Sequence, residues 1–142
     1  MQKDNFSYLT LGQETQAEFS DRGSRFIAYA FPVDHADTFK ARLQALKKEH
    51  PKAVHHCFAW RLGLDGTKYR VSDDGEPSGS AGRPILGQID ARNLTDTAII
   101  VVRYFGGTLL GVPGLINAYK SAAALALQVN QLLEKPIEDL YR

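Results

Sequence analysis

Five consecutive residues, Ala98-Ile99-Ile100-Val101-Val102, carry no polar side chain, and four of them are β-branched. A strand with one wet face alternates apolar and polar residues, so this unbroken run predicts a central strand buried on both faces. Other strands must flank it, and other elements must cover the sheet. The run ends at Arg103, and Tyr104-Phe105-Gly106-Gly107-Thr108-Leu109-Leu110-Gly111-Val112-Pro113-Gly114 follows at once. A glycine-rich loop at the exit of a buried strand is where α/β proteins tend to place function.

The remaining elements are read around that strand. Ser24 to Phe31 is dense in β-formers, and Asp21-Arg22-Gly23 is a turn that folds Thr15 to Phe19 back as its partner. Ala36, Phe39, Leu43 and Leu46 recur at helical spacing, with Asp34 as the N-cap and Pro51 as the stop. From Ala53 to Arg61 the pattern is a strand with Val54, His56, Phe58 and Trp60 on one face and His55, Cys57 and Ala59 on the other. Asp65-Gly66 turns it into a short return strand, Lys68 to Val71. Residues 72–84 are too polar for a core and form a loop. A helix follows from about Ala81 to Ala91, with Ser80 as its cap and Pro84 in its first turn. A last helix is expected from about Gly114 to Leu133, its apolar face including Leu115, Tyr119, Ala122, Ala126, Val129 and Leu133, and Pro136 beyond its end. This order indicates an α+β fold, a mixed β-sheet with helices packed on one face.

The chain has 142 residues, enough for one core without metal or disulfide staples, and its single cysteine excludes an internal disulfide. A reducing, cytoplasmic setting is expected. The longest apolar run, Ala122 to Leu127, is far too short to span a membrane, and no membrane partner is expected. With 17 basic and 16 acidic residues the net charge is +1, which argues against a whole-surface grip on nucleic acid but leaves room for a local patch. The basic side chains Lys40, Arg42, Lys47 and Lys48 form such a run on the first helix.

The glycine loop fits neither nucleotide fingerprint: it lacks the G-x-G-x-x-G spacing, and Val112-Pro113 stands where a Walker loop needs Lys and Ser or Thr. Two readings stay open for it, backbone N–H groups lining an anion site and a tight connection that lets strand and helix approach closely. Arg103, at the end of an apolar strand, needs a carboxylate, a phosphate or water. Asp73, Asp74 and Glu76 are the nearby acids. Either an internal pair pins the two loops together, or a ligand-binding pair faces outward. Paired carboxylates with His55 would also suit general acid–base work or magnesium, although Asp-Asp-Gly-Glu-Pro is equally good turn chemistry. His55 and Cys57 share a strand face at a spacing that does not build a nucleophile pair, so Cys57 reads as a small apolar contact under a helix.

Taken in order, Gly23-Ser24-Arg25-Phe26, Ala53-x-His55-x-Cys57-x-Ala59, Ser72-Asp73-Asp74-Gly75-Glu76-Pro77-x-Gly79-x-Ala81-Gly82-x-Pro84 and Arg103-Tyr104-Phe105-Gly106-Gly107-x-x-Leu110-Gly111 resemble the YigZ/IMPACT family over residues 20–128. The resemblance implies an IMPACT N-terminal domain over 20–130, with a fold similar to the second domain of ribosomal protein S5. Residues 1–19 would be an N-terminal extension and edge strand, and 131–142 a tail in place of the second, ferredoxin-like domain common in bacterial relatives. Eukaryotic members act by protein binding in translational control. The chain departs from the family pattern at Pro113, commonly Gly, and at Asn117, commonly basic; the second change removes a cation from the helix that follows the glycine loop.

Three functional readings follow. The first is a non-catalytic cytoplasmic binding module with a protein partner in the translation machinery, acting through His55, Asp73, Asp74, Glu76, Arg103, Tyr104, Gly106, Gly107 and Gly111. The second is RNA or ribosome binding through Lys40, Arg42, Lys47 and Lys48. The third is a hydrolase or phosphate-processing enzyme built on Asp73, Asp74 and Glu76. The favoured first reading needs no catalytic residue, metal or cofactor.

Overall fold

The computed structural model describes residues 7–137; the outermost parts of both expected flanks, 1–6 and 138–142, lie outside the described residues. Among the described residues, seven strands and three helices follow in the order β1 (Ser7–Leu11), β2 (Thr15–Asp21), β3 (Ser24–Pro32), α1 (Ala36–Glu49), β4 (His55–Leu62), β5 (Lys68–Ser72), α2 (Gly82–Ala91), β6 (Thr97–Tyr104), α3 (Gly111–Gln128) and β7 (Leu132–Pro136). Five strands form one sheet in the order β2-β3-β6-β4-β5, and β1 pairs with β7 in a separate ribbon. The α+β class holds, but every pairing in the large sheet is antiparallel, so the sheet is not mixed.

β6 is the central strand and is buried from Thr97 to Arg103. Its even and odd positions feed two different cores. Ile99 and Val101 pack with Phe26, Ala28, Cys57 and Ala59 beneath α2 and α3. Ala98, Ile100 and Val102 pack with Ile27, Tyr29, Phe31 and Phe58 beneath Phe39 and Leu46 of α1. Helices therefore cover both faces, which corrects the expectation of one covered face. The uninterrupted apolar run of β6 already demanded it, because each of its faces needs its own apolar cover.

The β2–β3 hairpin closes through a two-residue turn, with Arg22 and Gly23 both at positive φ (49° and 83°) and Asp21 opposite Ser24. A tight turn of this hand matches the twist of the flanking strands. α1 starts after His35 rather than capping on Asp34, and no side chain caps it. α3 ends at Gln128 and does not run on to Leu133. Asn130 stops it, its amide nitrogen 2.7 Å from the carbonyl oxygen of Gln13 and 2.9 Å from Thr15 Oγ1. Beyond that turn Leu132–Pro136 extends along β1, with Leu11 opposite Leu132. Val129, expected on the buried face, is 60% exposed. Among the described residues, no helix is long and apolar enough to cross a membrane.

Candidate functional site

Arg103 stands on β6 opposite Phe26 of β3 and His55 of β4, on the sheet face covered by α2 and α3. Its Nη1 donates to both carboxylate oxygens of Glu76, at 3.0 and 2.7 Å, and its Nη2 donates to Ser24 Oγ at 3.3 Å. The guanidinium also lies over the rings of Phe26 and Phe105, 5.4 and 5.6 Å from their centroids. Tyr119 of α3 donates its hydroxyl to Glu76 Oε2 at 2.5 Å, and His55 Nε2 lies 3.4 Å from Glu76 Oε1. The side chains of Arg103 and Glu76 are only 6% and 4% exposed. Of the two sequence readings, the geometry is that of the internal pair: strand end, acidic loop, hairpin turn and α3 meet on one carboxylate.

The neighbouring acids are also directed inward. Asp73 accepts backbone N–H groups from Gly79 (2.9 Å), Ala81 (3.1 Å) and Gly82 (2.8 Å). Burial pushes its carboxyl up, but these three donors outweigh it and hold the group below the usual carboxylate value. Asp73 thereby caps α2 from nine residues upstream. The expected cap, Ser80, instead donates its hydroxyl to the Pro77 carbonyl at 2.6 Å. Asp74 accepts the His56 backbone N–H at 2.6 Å, and its own carbonyl faces His55 Nδ1 at 2.7 Å, so that ring nitrogen carries the proton.

Cys57, fully buried, has its sulfur 3.1 Å from the Asp73 carbonyl and 3.3 Å from the Tyr119 hydroxyl. Burial, with the nearby Glu76, Asp74 and Asp73 charges, pushes its thiol far up, against the smaller opposite pull of the Tyr119 hydrogen bond. A thiol so held is no nucleophile. Tyr119 and Ser24 complete the cluster and were missed as site residues, because each reads locally as part of a core face or a strand start. The only local signal was that Tyr119, a hydroxyl-bearing residue, falls in the apolar stripe of α3, where burial obliges it to find a partner.

Tyr104 points the other way. Its hydroxyl lies 2.5 Å from His50 Nδ1, and His50 Nε2 lies 2.7 Å from the Tyr29 hydroxyl, tying the strand end to the C-terminus of α1. Gly106 serves close packing: a Cβ there would stand 2.0 Å from the Gly23 carbonyl carbon and 2.3 Å from Ser24 N. Its N–H goes to Ser24 Oγ at 3.1 Å. Gly107 and Gly111 take positive φ (89° and 75°) on the exposed surface.

The four cations of α1 part company. Arg42 binds Glu14 through two bonds of 2.8 and 2.7 Å and lies over the Tyr29 ring. Lys40 and Lys47 line a cleft between α1 and the β4–β5 end of the sheet, and Lys48 does not reach it.

Chemically the acidic cluster is a structural joint, since Glu76 and Asp73 are saturated by donors of the protein itself. Among the described residues no group of three or more His, Cys, Asp or Glu is arranged to hold a metal ion. Large apolar side chains are exposed on the glycine loop and the helix that follows it. The loop 105–109 is exposed throughout, with Phe105 49% and Leu109 81% exposed, and on α3 Val112 (44%) and Ile116 (38%) are exposed at a four-residue spacing.

Comparison with known proteins places the chain in a family. Residues 22–127 match the Impact N-terminal domain. The chain is 42% identical over 107 residues to the IMPACT family member YigZ of Escherichia coli, covering 74% of this chain and 52% of that protein. It is 37% identical over 131 residues to the IMPACT family member YvyE of Bacillus subtilis, covering 92% and 60%. A solved structure described only as a hypothetical protein superposes with a TM-score of 0.88 at 36% identity, over 92% of this chain and 65% of that one. The chain thus spans between half and two thirds of the length of these proteins. Joined by the Arg103–Glu76 pair and filled by Asp73, the acidic and glycine-rich motifs are the framework of a domain of the IMPACT family, and the chain belongs to that family.

Proposed function

We propose that this chain is a non-catalytic binding and regulatory module associated with translation, acting through protein–protein contacts in the cytoplasm. The observation that carries the reading is the exposed apolar patch of Phe105, Leu109, Val112 and Ile116. An ordered loop that holds large apolar side chains in water is characteristic of an interaction surface. Its base is fixed by the Gly106–Ser24 hydrogen bond and by Arg103 beneath Phe105. A preformed patch loses little conformational entropy on docking. The link to translation is supported by membership of a family whose eukaryotic members act by protein binding in translational control.

The test is affinity capture from lysate with the wild-type chain and with Leu109→Asp, a substitution at a fully exposed position that leaves the core untouched. Wild type is expected to enrich a translation component, and the variant, its circular dichroism unchanged, to lose it. Enrichment of no translation component by the wild type, or equal enrichment by both, would overturn the proposal.

A further inference from the structure

A cleft lies between α1 and the sheet. Its volume is about 430 Å³, within the range of small-ligand sites. The apolar floor comes from Leu43 of α1 and Phe58 and Trp60 of β4. Trp60 is half-buried and braced by Phe39, whose ring centroid is 6.4 Å away and tilted by 55°. The rim is cationic: Lys40 and Lys47 lie seven residues apart on one stripe of α1, and Arg70 faces them from β5. Seven residues of helix separate the two lysines by roughly 10 Å.

The charge balance of the cleft is one-sided. None of the three cations forms an ion pair among the described residues, whereas Arg25, Arg42, Arg61 and Arg103 are each bound to a carboxylate. A single acid, Asp74, lines the cleft, so its lining sets three cations against one carboxylate. Lys40 and Lys47, with no carboxylate partner, and Arg70, whose guanidinium lies over the Phe58 ring 6.0 Å from its centroid, surround the exposed part of Trp60; this suits a ligand with a flat, apolar body and more than one negative charge. An aromatic platform inside a positive groove is how proteins hold unpaired nucleotides, by stacking the base and neutralising the phosphates. An acidic peptide would satisfy the rim but leave the indole without a flat partner.

We propose that this cleft binds nucleoside phosphates, with the base on Trp60 and phosphate oxygens on Lys40, Lys47 and Arg70. The ligand is either a free nucleotide or a nucleotide unit of single-stranded RNA, which share this chemistry. The site is distinct from the apolar patch on the glycine loop, so the protein-docking proposal and this one stand or fall separately.

Trp60 is the single tryptophan of the chain, so its emission reports on this site alone. Titration with adenosine 5′-monophosphate and with an adenylate oligoribonucleotide is expected to quench it saturably, while inorganic phosphate and poly-glutamate are not. Lys47→Glu and Arg70→Glu, both at exposed positions, should each weaken binding about tenfold or more, the loss of one charge-assisted contact. Equal affinity for mononucleotide and oligomer identifies a free-nucleotide site. Much tighter oligomer binding, with a log–log salt slope of about −2 for three neutralised phosphates, identifies RNA. Lack of quenching by either ligand, quenching by poly-glutamate in their place, or quenching unaltered in both charge-reversal variants would overturn the proposal.

Discussion

Replacing Arg103 with Met should be among the most damaging single changes the chain can suffer. The substitution keeps an unbranched side chain against Phe26 and Phe105 but leaves Glu76 buried, 4% exposed, without its cation. The two Nη1 bonds of 3.0 and 2.7 Å disappear, and Tyr119 and His55 remain the neighbours of the carboxylate. Breaking a buried pair from one side costs about 3–5 kcal/mol, because the orphaned charge keeps its full desolvation penalty. For a domain of this size, at roughly 4 °C per kcal/mol, the melting temperature should fall by about 12–20 °C. Urea denaturation followed by circular dichroism measures the loss. Removing both charges, as Arg103→Met with Glu76→Leu, should give a protein more stable than Arg103→Met alone, since no buried charge is then left unpaired. A loss below about 1 kcal/mol, the value of a solvent-exposed pair, or simple additivity of the two single substitutions would refute this account of the joint.

Asp73→Asn should destabilise by about 1–3 kcal/mol at neutral pH, because an amide oxygen replaces the carboxylate facing three N–H donors. The Asp73 carboxyl is held below its ordinary value, so its contribution is complete above the ordinary carboxylate range and is lost as pH falls through the lowered value. Urea midpoints of wild type and variant should therefore converge on acidification; a gap that widens in acid contradicts the assignment. Gly106→Ala should lower stability by more than about 3 kcal/mol, since its Cβ would enter the Gly23–Ser24 backbone, whereas Gly107→Ala, with open space around it, should cost about 1 kcal/mol for its positive φ alone. Thermal melts of the pair separate steric from conformational effects, and equal losses would show that the close approach at Gly106 is not what the glycine serves.

How far these features could be read beforehand depended on whether their cause was local. The Ala98–Val102 run announced β6 because double-sided burial is written into composition, and Asp21-Arg22-Gly23 announced the hairpin because only certain residues accept its turn. The end of α3 was not legible. Ala126, Val129 and Leu133 keep helical spacing, and what overrules them is Asn130 bonding to Gln13 and Thr15 and β7 pairing with β1, both more than a hundred residues away. The side of the sheet on which α1 packs was equally hidden, since the order of elements does not say which face a connection crosses. At the site, the need of Arg103 for a carboxylate followed from its place at a strand end. The long-range cap by Asp73 and the hydroxyl of Tyr119 did not follow, because each acts on residues that only the folded chain brings near.

Arg103 and Tyr104 are adjacent in the chain yet fasten opposite layers, one to Tyr119 and Glu76 beneath α3, the other to His50 at the end of α1. The alternation by which β6 feeds both cores therefore ends on two polar anchors, one for each face. Lifting α1 away loosens the strand end that α3 depends on, and loosening the acidic loop disturbs the anchorage of α1. The two cores, already joined along β6 by its alternating side chains, are thus tied again at the strand's end, and a single cooperative melting transition is expected.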